Sequence, residues 1–224
     1  MRFWNFVEVI ALNINLRLEE EKDYKIVENV TREAFWNLHA PGCEEHMLIH
    51  KMRKAPEFIK ELDFVVVLDD KIVGNIVYVK SKVIDGPIEH EVLTFGPVSV
   101  LQEYQNKGIG STLINHTISL ATKMGYNAII IYGAPNYYQR FGFEPTIKFK
   151  ITNSEKRYPV SLLALELYPD ALNGVEGVFD EGIVYQIDKS NFDEFDKQFP
   201  FKEKAHTETQ DWFMEISSKY HGEG

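Results

Sequence analysis

The apolar positions change period several times along the chain, and each change marks an element. Residues 15–18 read as a short strand, and residues 19–36 carry Tyr24, Val27, Val30, Ala34 and Phe35 on one helical face. Proline and glycine break the pattern between His39 and Gly42, and a second helix is expected over 44–53. Phe64-Val65-Val66-Val67-Leu68 is a strand that Asp69-Asp70-Lys71 turns into another over 72–79, an antiparallel hairpin. Gly74 inside its second arm marks a bulge or a close backbone approach. A turn at Asp85-Gly86-Pro87 leads to a strand over 90–95. Gly96-Pro97 interrupts that strand before Val98-Ser99-Val100, because proline cannot donate to a ladder and the strand must bend or part from a neighbour.

Ile109, Leu113, Leu120 and Met124, with Ile114 and Ile118 beside them, predict an amphipathic helix over 109–124. Ala128-Ile129-Ile130-Ile131-Tyr132 is continuously apolar, the mark of a strand buried on both faces. Gly133-Ala134-Pro135 ends it, a short helix covers 136–140, strand or loop begins at 149–152, and 161–167 is the last clear strand. Beyond Pro169 the core signal thins, leaving short surface helices at 192–199 and 210–220. The apolar first twelve residues are too short to span a bilayer, are broken by Asn5 and Glu8, and lack a cleavage pattern; an edge strand or an extension is expected there. The order is βα(α)βββαβαβ, with a meander in the middle and a parallel strand after the crossover helix. That pattern predicts an α/β (α+β layered) fold with a mixed, mostly antiparallel sheet and helices on both faces.

Composition narrows the function classes. With 224 residues there is material for one core over 1–168, in which 1–13 is an extension, and an appendage over 169–224. A net charge of −10 argues against a nucleic-acid or anionic-membrane binder, and suits a cationic substrate such as an amine. A polyanionic cofactor would then need a local positive niche. The single cysteine, Cys43, rules out an internal disulfide and fits a reducing, cytoplasmic setting.

The stretch Val98 to Gly110 supplies such a niche. A β-prone piece, a turn holding Gln105-Asn106-Lys107-Gly108, and a helix start at Ile109-Gly110 are the parts of an anion cradle. The first helical amides have no intrahelical partner, and the macrodipole adds partial positive charge. Gly108 and Gly110 let a phosphate approach those amides, and Lys107 adds a formal charge. The spacing lacks the endings of a P-loop or a dinucleotide fingerprint, so a tight turn with close strand–helix packing explains the glycines equally well.

About thirty residues on comes Tyr138-Gln139-Arg140-Phe141-Gly142-Phe143. Taken with Gln105-Asn106-Lys107-Gly108-Ile109-Gly110 and the Asp70-Lys71-Ile72-Val73-Gly74 hairpin, it resembles the GNAT superfamily of acetyl-CoA-dependent N-acetyltransferases over roughly 15–167. The doubled tyrosine, Tyr137-Tyr138, is most similar to the YhbS-like bacterial branch. Gln105 departs from the arginine of many members, which removes positive charge but leaves the backbone cradle. The resemblance implies a splay between strands 4 and 5, where backbone groups of Val98 and Val100 pair with pantetheine and Ser99 between them is also expected to touch the cofactor. It implies pyrophosphate on the amides of Gln105, Asn106, Lys107, Gly108, Ile109 and Gly110, and an oxyanion donor near Val98. Asn136 either bonds pantetheine or caps the short helix.

By the same resemblance Tyr138 is the general acid for the departing thiolate, unless it only positions the sulfur or packs beneath it. Glu91, acting through water, is the expected base, although a desolvated amine shedding its proton to a water chain needs none. His39, Cys43, His46 and His50 fall within twelve residues, but nothing in this chemistry calls for a metal, and none is expected. Glu45 and His46 are instead candidates for the acceptor side. The implied activity is acetyl transfer to a primary amine of a small molecule or peptide in a ternary complex. The competing readings are an acyl-CoA sensor without turnover and a nucleotide-binding α/β domain; a homodimer is the further partner expected.

Overall fold

The computed structural model describes residues 14–186 and 189–222, so the expected N-terminal extension lies outside the described residues. The strands and α-helices run β1 (Asn15–Leu18), α1 (Tyr24–Phe35), α2 (Glu45–Met52), β2 (Phe64–Leu68), β3 (Lys71–Asp85), β4 (Ile88–Val100), α3 (Ile109–Lys123) and β5 (Ala128–Tyr132). They continue as α4 (Pro135–Tyr138), β6 (Glu144–Pro145), β7 (Ile151–Thr152), β8 (Leu162–Glu166), β9 (Gly177–Asp180), α5 (Phe192–Asp196) and α6 (Glu208–Ser217). The sheet order is β1-β2-β3-β4-β5-β8-β6, with β9 on β3 and β7 on β9. Only β4–β5 and β7–β9 are parallel among these pairs.

Alternation along β3 assigns the two faces. Asn75 turns its side chain toward α1, where Thr31 donates to its Oδ1 at 3.1 Å. Tyr78, three residues on, points the other way and its hydroxyl lies 2.9 Å from Thr117 of α3. Helices therefore cover both faces. Gly74 shares the α3 side: a Cβ there would lie 2.8 Å from Ser99 O and 3.3 Å from the Ile109 side chain. A bulge adjoins it, since Val66 opposes Gly74 while Val67 opposes Ile72.

Three elements depart from the sequence pattern. β3 runs to Asp85 rather than stopping at 79, because Val77, Val79, Ser81 and Val83 stay buried while Lys80 and Lys82 alternate outward. β4 is one strand that absorbs Gly96-Pro97 as a bulge: Ile76 opposes Val98, but Tyr78 opposes Phe95. The stretch after Pro169 is no mere surface coat. It adds β9 along Lys82–Ile84, and Phe192, Phe195 and Phe199 bury themselves against Met47 of α2. No helix among the described residues is long and apolar enough to cross a membrane.

Candidate active site

β4 and β5 pair at Leu93 and Ile129, and the ladder goes no further. Beyond that point the strands part, and the ladder on the other side of β4 decides which groups face the gap. Leu101 N–H donates to Val73 O at 2.9 Å, in the same register that sets Ser99 opposite Asn75. Antiparallel hydrogen bonds recur at every second residue, so the backbone groups of Val98 and Val100 turn to the open edge. Ser99 does not. Its backbone belongs to β3, and its fully buried side chain donates to Thr31 at 3.0 Å under α1. The expectation that Ser99 touches cofactor is corrected by this alternation.

The turn after β4 is held by Gln105, whose side-chain amide donates to Val100 O at 3.0 Å. Gly108 caps α3 at φ +84°, a left-handed conformation that a side chain would strain. The first intrahelical bond runs from Thr112 N to Gly108 O, which leaves the amides of Ile109, Gly110 and Ser111 without an intrahelical acceptor. These groups line a cleft of ≈ 430 Å³ with Val98, Val100, Gln105 and Asn106. Sequence reasoning missed Tyr104, Ser111 and Arg140, which line it too. Arg140, carried round from α4 with its guanidinium 4.7 Å from the Tyr137 ring, brings the positive charge that Gln105 lacks. Lys107 stands outside the lining, its ammonium 5.4 Å from the Tyr104 ring.

At the head of the cleft are the paired tyrosines. Tyr137 brings its hydroxyl to within 3.1 Å of where a Gly110 Cβ would be. Tyr138 lies against Gly133, with its ring 6.0 Å from Phe95 and 5.7 Å from Phe143. Burial first, and then Tyr137, pushes its phenol well above the usual range, so it is protonated at neutral pH. No hydrogen bond from the described residues engages that hydroxyl. Asn136 is exposed and lines neither the cleft nor the cavity beyond it; Ala134, not Asn136, is the N-cap of α4, with Pro135 at the first helical position.

Val98, Tyr137 and Tyr138 also form one wall of a second cavity, of ≈ 620 Å³. Trp212, Phe213 and Ile216 of α6 line it as well, as do Phe35, His39 and Tyr132. The two cavities thus meet at three residues. Tyr185, from the segment before α5, braces the bulge by donating to Gly96 O at 3.3 Å.

Two expected site residues lie elsewhere. Glu91 is exposed, is paired with Lys80 at 3.0 Å, and lines a separate recess beside Tyr126 at the paired end of β4. Four residues of strand, about 13 Å, separate it from Phe95 at the split, so it cannot serve the reaction as a base. His46 is fully buried among Phe192, Phe195 and Phe199, with Nε2 3.0 Å from Asp196 and Nδ1 3.6 Å from the Cys43 thiol. Burial lowers its pKa to about 4 and pushes the Cys43 thiol far up. His46 anchors the C-terminal segment and lines neither the cleft nor the second cavity, against the expectation that placed it at the acceptor. Glu45 lines a neighbouring recess and approaches His39 Nδ1 at 3.5 Å. His50 pairs with Glu28 at 2.8 Å. No cluster of three His, Cys, Asp or Glu side chains among the described residues is arranged to hold a metal ion.

Residues 60–145 match the acetyltransferase (GNAT) domain. Two Escherichia coli K12 relatives are similar over part of the chain. The uncharacterized N-acetyltransferase YjhQ is 34% identical over 80 residues, 34% of this chain and 42% of that protein. The uncharacterized N-acetyltransferase YhbS is 31% identical over 88 residues, 38% of this chain and 50% of that protein. The matched stretch thus spans half or less of each relative. The crystal structure of Escherichia coli YhbS with CoA superposes with a TM-score of 0.69 at 23% identity, over 79% of this chain and 94% of that one. A Brucella melitensis GNAT family acetyltransferase with acetyl-CoA gives 0.62 at 24% identity, over 77% and 97%. These two superpositions show that the chain has the fold of these GNAT structures.

Proposed function

We propose that this chain, whose residues 60–145 match the acetyltransferase (GNAT) domain and whose fold is similar to that of YhbS, transfers an acetyl group from acetyl-CoA to a primary amine of a small molecule or peptide. One observation carries the reading: a polar cleft built of helix-start amides meets a second, largely apolar cavity at Val98, Tyr137 and Tyr138. Substrates held in the two cavities would meet there.

In this reading the pyrophosphate of acetyl-CoA lies on the amides of Ile109, Gly110 and Ser111, within reach of Arg140. Pantetheine runs along the open edge of β4 and pairs with Val98 and Val100 as an added strand would. The amine nitrogen attacks the thioester carbonyl, and the oxyanion takes the Val98 amide as donor. The C–N bond forms in that addition; when the oxyanion collapses the carbonyl re-forms, the C–S bond breaks, and the Tyr138 hydroxyl gives its proton to the sulfur. The nitrogen loses its surplus protons on the acceptor side, one of them replacing that of Tyr138.

The test is thiol release from acetyl-CoA over an amine panel, alongside CoA affinity by calorimetry. CoA binding with turnover of at least one amine is the expected result. Tight CoA binding with no acetyl transfer to any amine would overturn catalysis in favour of an acyl-CoA sensor.

A further inference from the structure

The cavity beyond the split has a chemistry of its own, and its bearing on the acceptor rests on the acetyl-transfer reading. In a protein of net charge −10, no Asp, Glu, Lys or Arg among the described residues lines this space. Its walls are rings, Pro97 and aliphatic carbon, relieved by the neutral side chains of Asn153, Ser161 and Ser217 and by His39. The C-terminal segment supplies much of the ring surface: Trp212 and Phe213 of α6 and Tyr220 just after it line the cavity together with Tyr132 of β5.

A polyamine or an aminoglycoside brings two or more ammonium groups, and those not shed before attack would leave water in a cavity whose lining holds no carboxylate. An amine with one nitrogen and a flat apolar body meets no such penalty, because its single charge must be shed before attack in any case. Its ring exchanges water for aromatic faces and edges, which favour stacked and edge-on neighbours.

His39 is placed to take that charge. Its ring stacks on Phe213 at 4.3 Å between centroids and 23° between planes, and meets Phe35 edge-on at 5.6 Å. Glu45 Oε1 lies 3.5 Å from its Nδ1. That contact is made at Nδ1, so Nε2 is the ring nitrogen turned away from the carboxylate.

We propose that the acceptor is an arylalkyl monoamine, its ring held among Tyr132, Trp212, Phe213 and Tyr220, and that His39 takes the first proton from its ammonium. The proton count closes. Of the three hydrogens on the ammonium, one goes to His39 and on to solvent, one reaches the sulfur by way of Tyr138, and one stays on the amide product.

The experiment uses the full chain with acetyl-CoA and compares 2-phenylethylamine and tryptamine with spermidine and kanamycin. The expected kcat/KM is about a hundredfold higher for the aryl amines. Trp212 is 50% exposed and Phe213 36%, so Trp212→Ala and Phe213→Ala leave the fold intact. Each is expected to raise KM for 2-phenylethylamine about tenfold while CoA affinity holds. His39→Gln should lose turnover about tenfold or more at pH 7 and recover it as pH approaches the amine's own pKa. Preference for spermidine or kanamycin would overturn the proposal. So would faster transfer of an octanoyl than of an acetyl group, which would give the cavity to the acyl donor. If CoA-loaded protein binds 2-phenylethylamine, read by tryptophan fluorescence, but turns over no amine, the acceptor class stands and acetyl transfer falls. Neither binding nor turnover of the aryl amines sinks the acceptor class.

Discussion

The Tyr138 ring occupies the space that a β-carbon on Gly133 would need. Gly133 is not among the residues with positive φ, so alanine suits its backbone, and the conflict is with the ring alone. The missing methyl group therefore fixes where the phenol stands between the two cavities. Gly133→Ala is expected to fold with a loss of about 1–3 kcal/mol for overpacking. Turnover should fall by about a hundredfold, since displacement of a reacting group by an ångström has that effect. Steady-state kinetics and a urea melt check both. Unchanged kcat in a folded variant would show that the ring position is immaterial.

Tyr138→Phe keeps the ring contacts with Phe95 and Phe143 and removes only the hydroxyl. General acid catalysis contributes about 10²–10⁴-fold, so kcat should fall within that range while CoA affinity stays within about twofold. Because burial holds the phenol above its ordinary range, the wild-type rate should show no basic limb from Tyr138 up to about pH 10. A Phe variant with wild-type kcat would remove Tyr138 from the proton path.

Much of this site is legible in the sequence alone. Gly96-Pro97 announces a bend in β4, and Gly108 with Gly110 announces a helix start stripped for an anion, because backbone rules are local. Glu91 misleads because alternation says which face a residue takes, not how far along the strand the site lies. His46 misleads because its neighbours, Phe192, Phe195, Phe199 and Asp196, are about 150 residues away in sequence and carry no periodic signal in short helices. The α6 wall is hidden for the same reason: Trp212 and Phe213 read as surface until the fold brings them to the cavity that Tyr132 lines. β9 is only four residues long, too short for a pattern to emerge.

Arg140 is the cleft's own cation, exposed and stacked on Tyr137 rather than paired with a carboxylate in any ion pair among the described residues. Removing a charge-assisted contact to phosphate costs about 1.5–3 kcal/mol. Arg140→Ala should therefore weaken CoA binding by roughly 10- to 100-fold, with the loss shrinking in 0.5 M salt as screening removes what the charge contributed. Dephospho-CoA and CoA titrated side by side would tell whether the guanidinium serves the pyrophosphate or the 3′-phosphate. Equal losses for both ligands point to the pyrophosphate, and affinity untouched for both would remove Arg140 from the site.

His46 ties the C-terminal segment to the domain, and its titration should be visible in stability. Folding lowers its pKa from 6.5 to about 4, chiefly through burial. The neutral ring is the form the fold prefers, so the unfolded chain binds more protons between those values. Its contribution is full above pH 6.5 and is lost as pH falls toward 4, by up to about 3 kcal/mol. Asp63 opposes it. That carboxyl is buried beside Glu19, and burial pushes it up to about 9, so its contribution is full below 3.8 and is lost as pH rises. Between pH 4 and 6.5 the two slopes oppose each other, and the wild-type profile alone is flattened. The difference between wild type and His46→Asn isolates the histidine: a gap in unfolding free energy at pH 7 that closes by pH 4. A gap of constant size across that range would mean that His46 does not titrate in the fold as its burial demands.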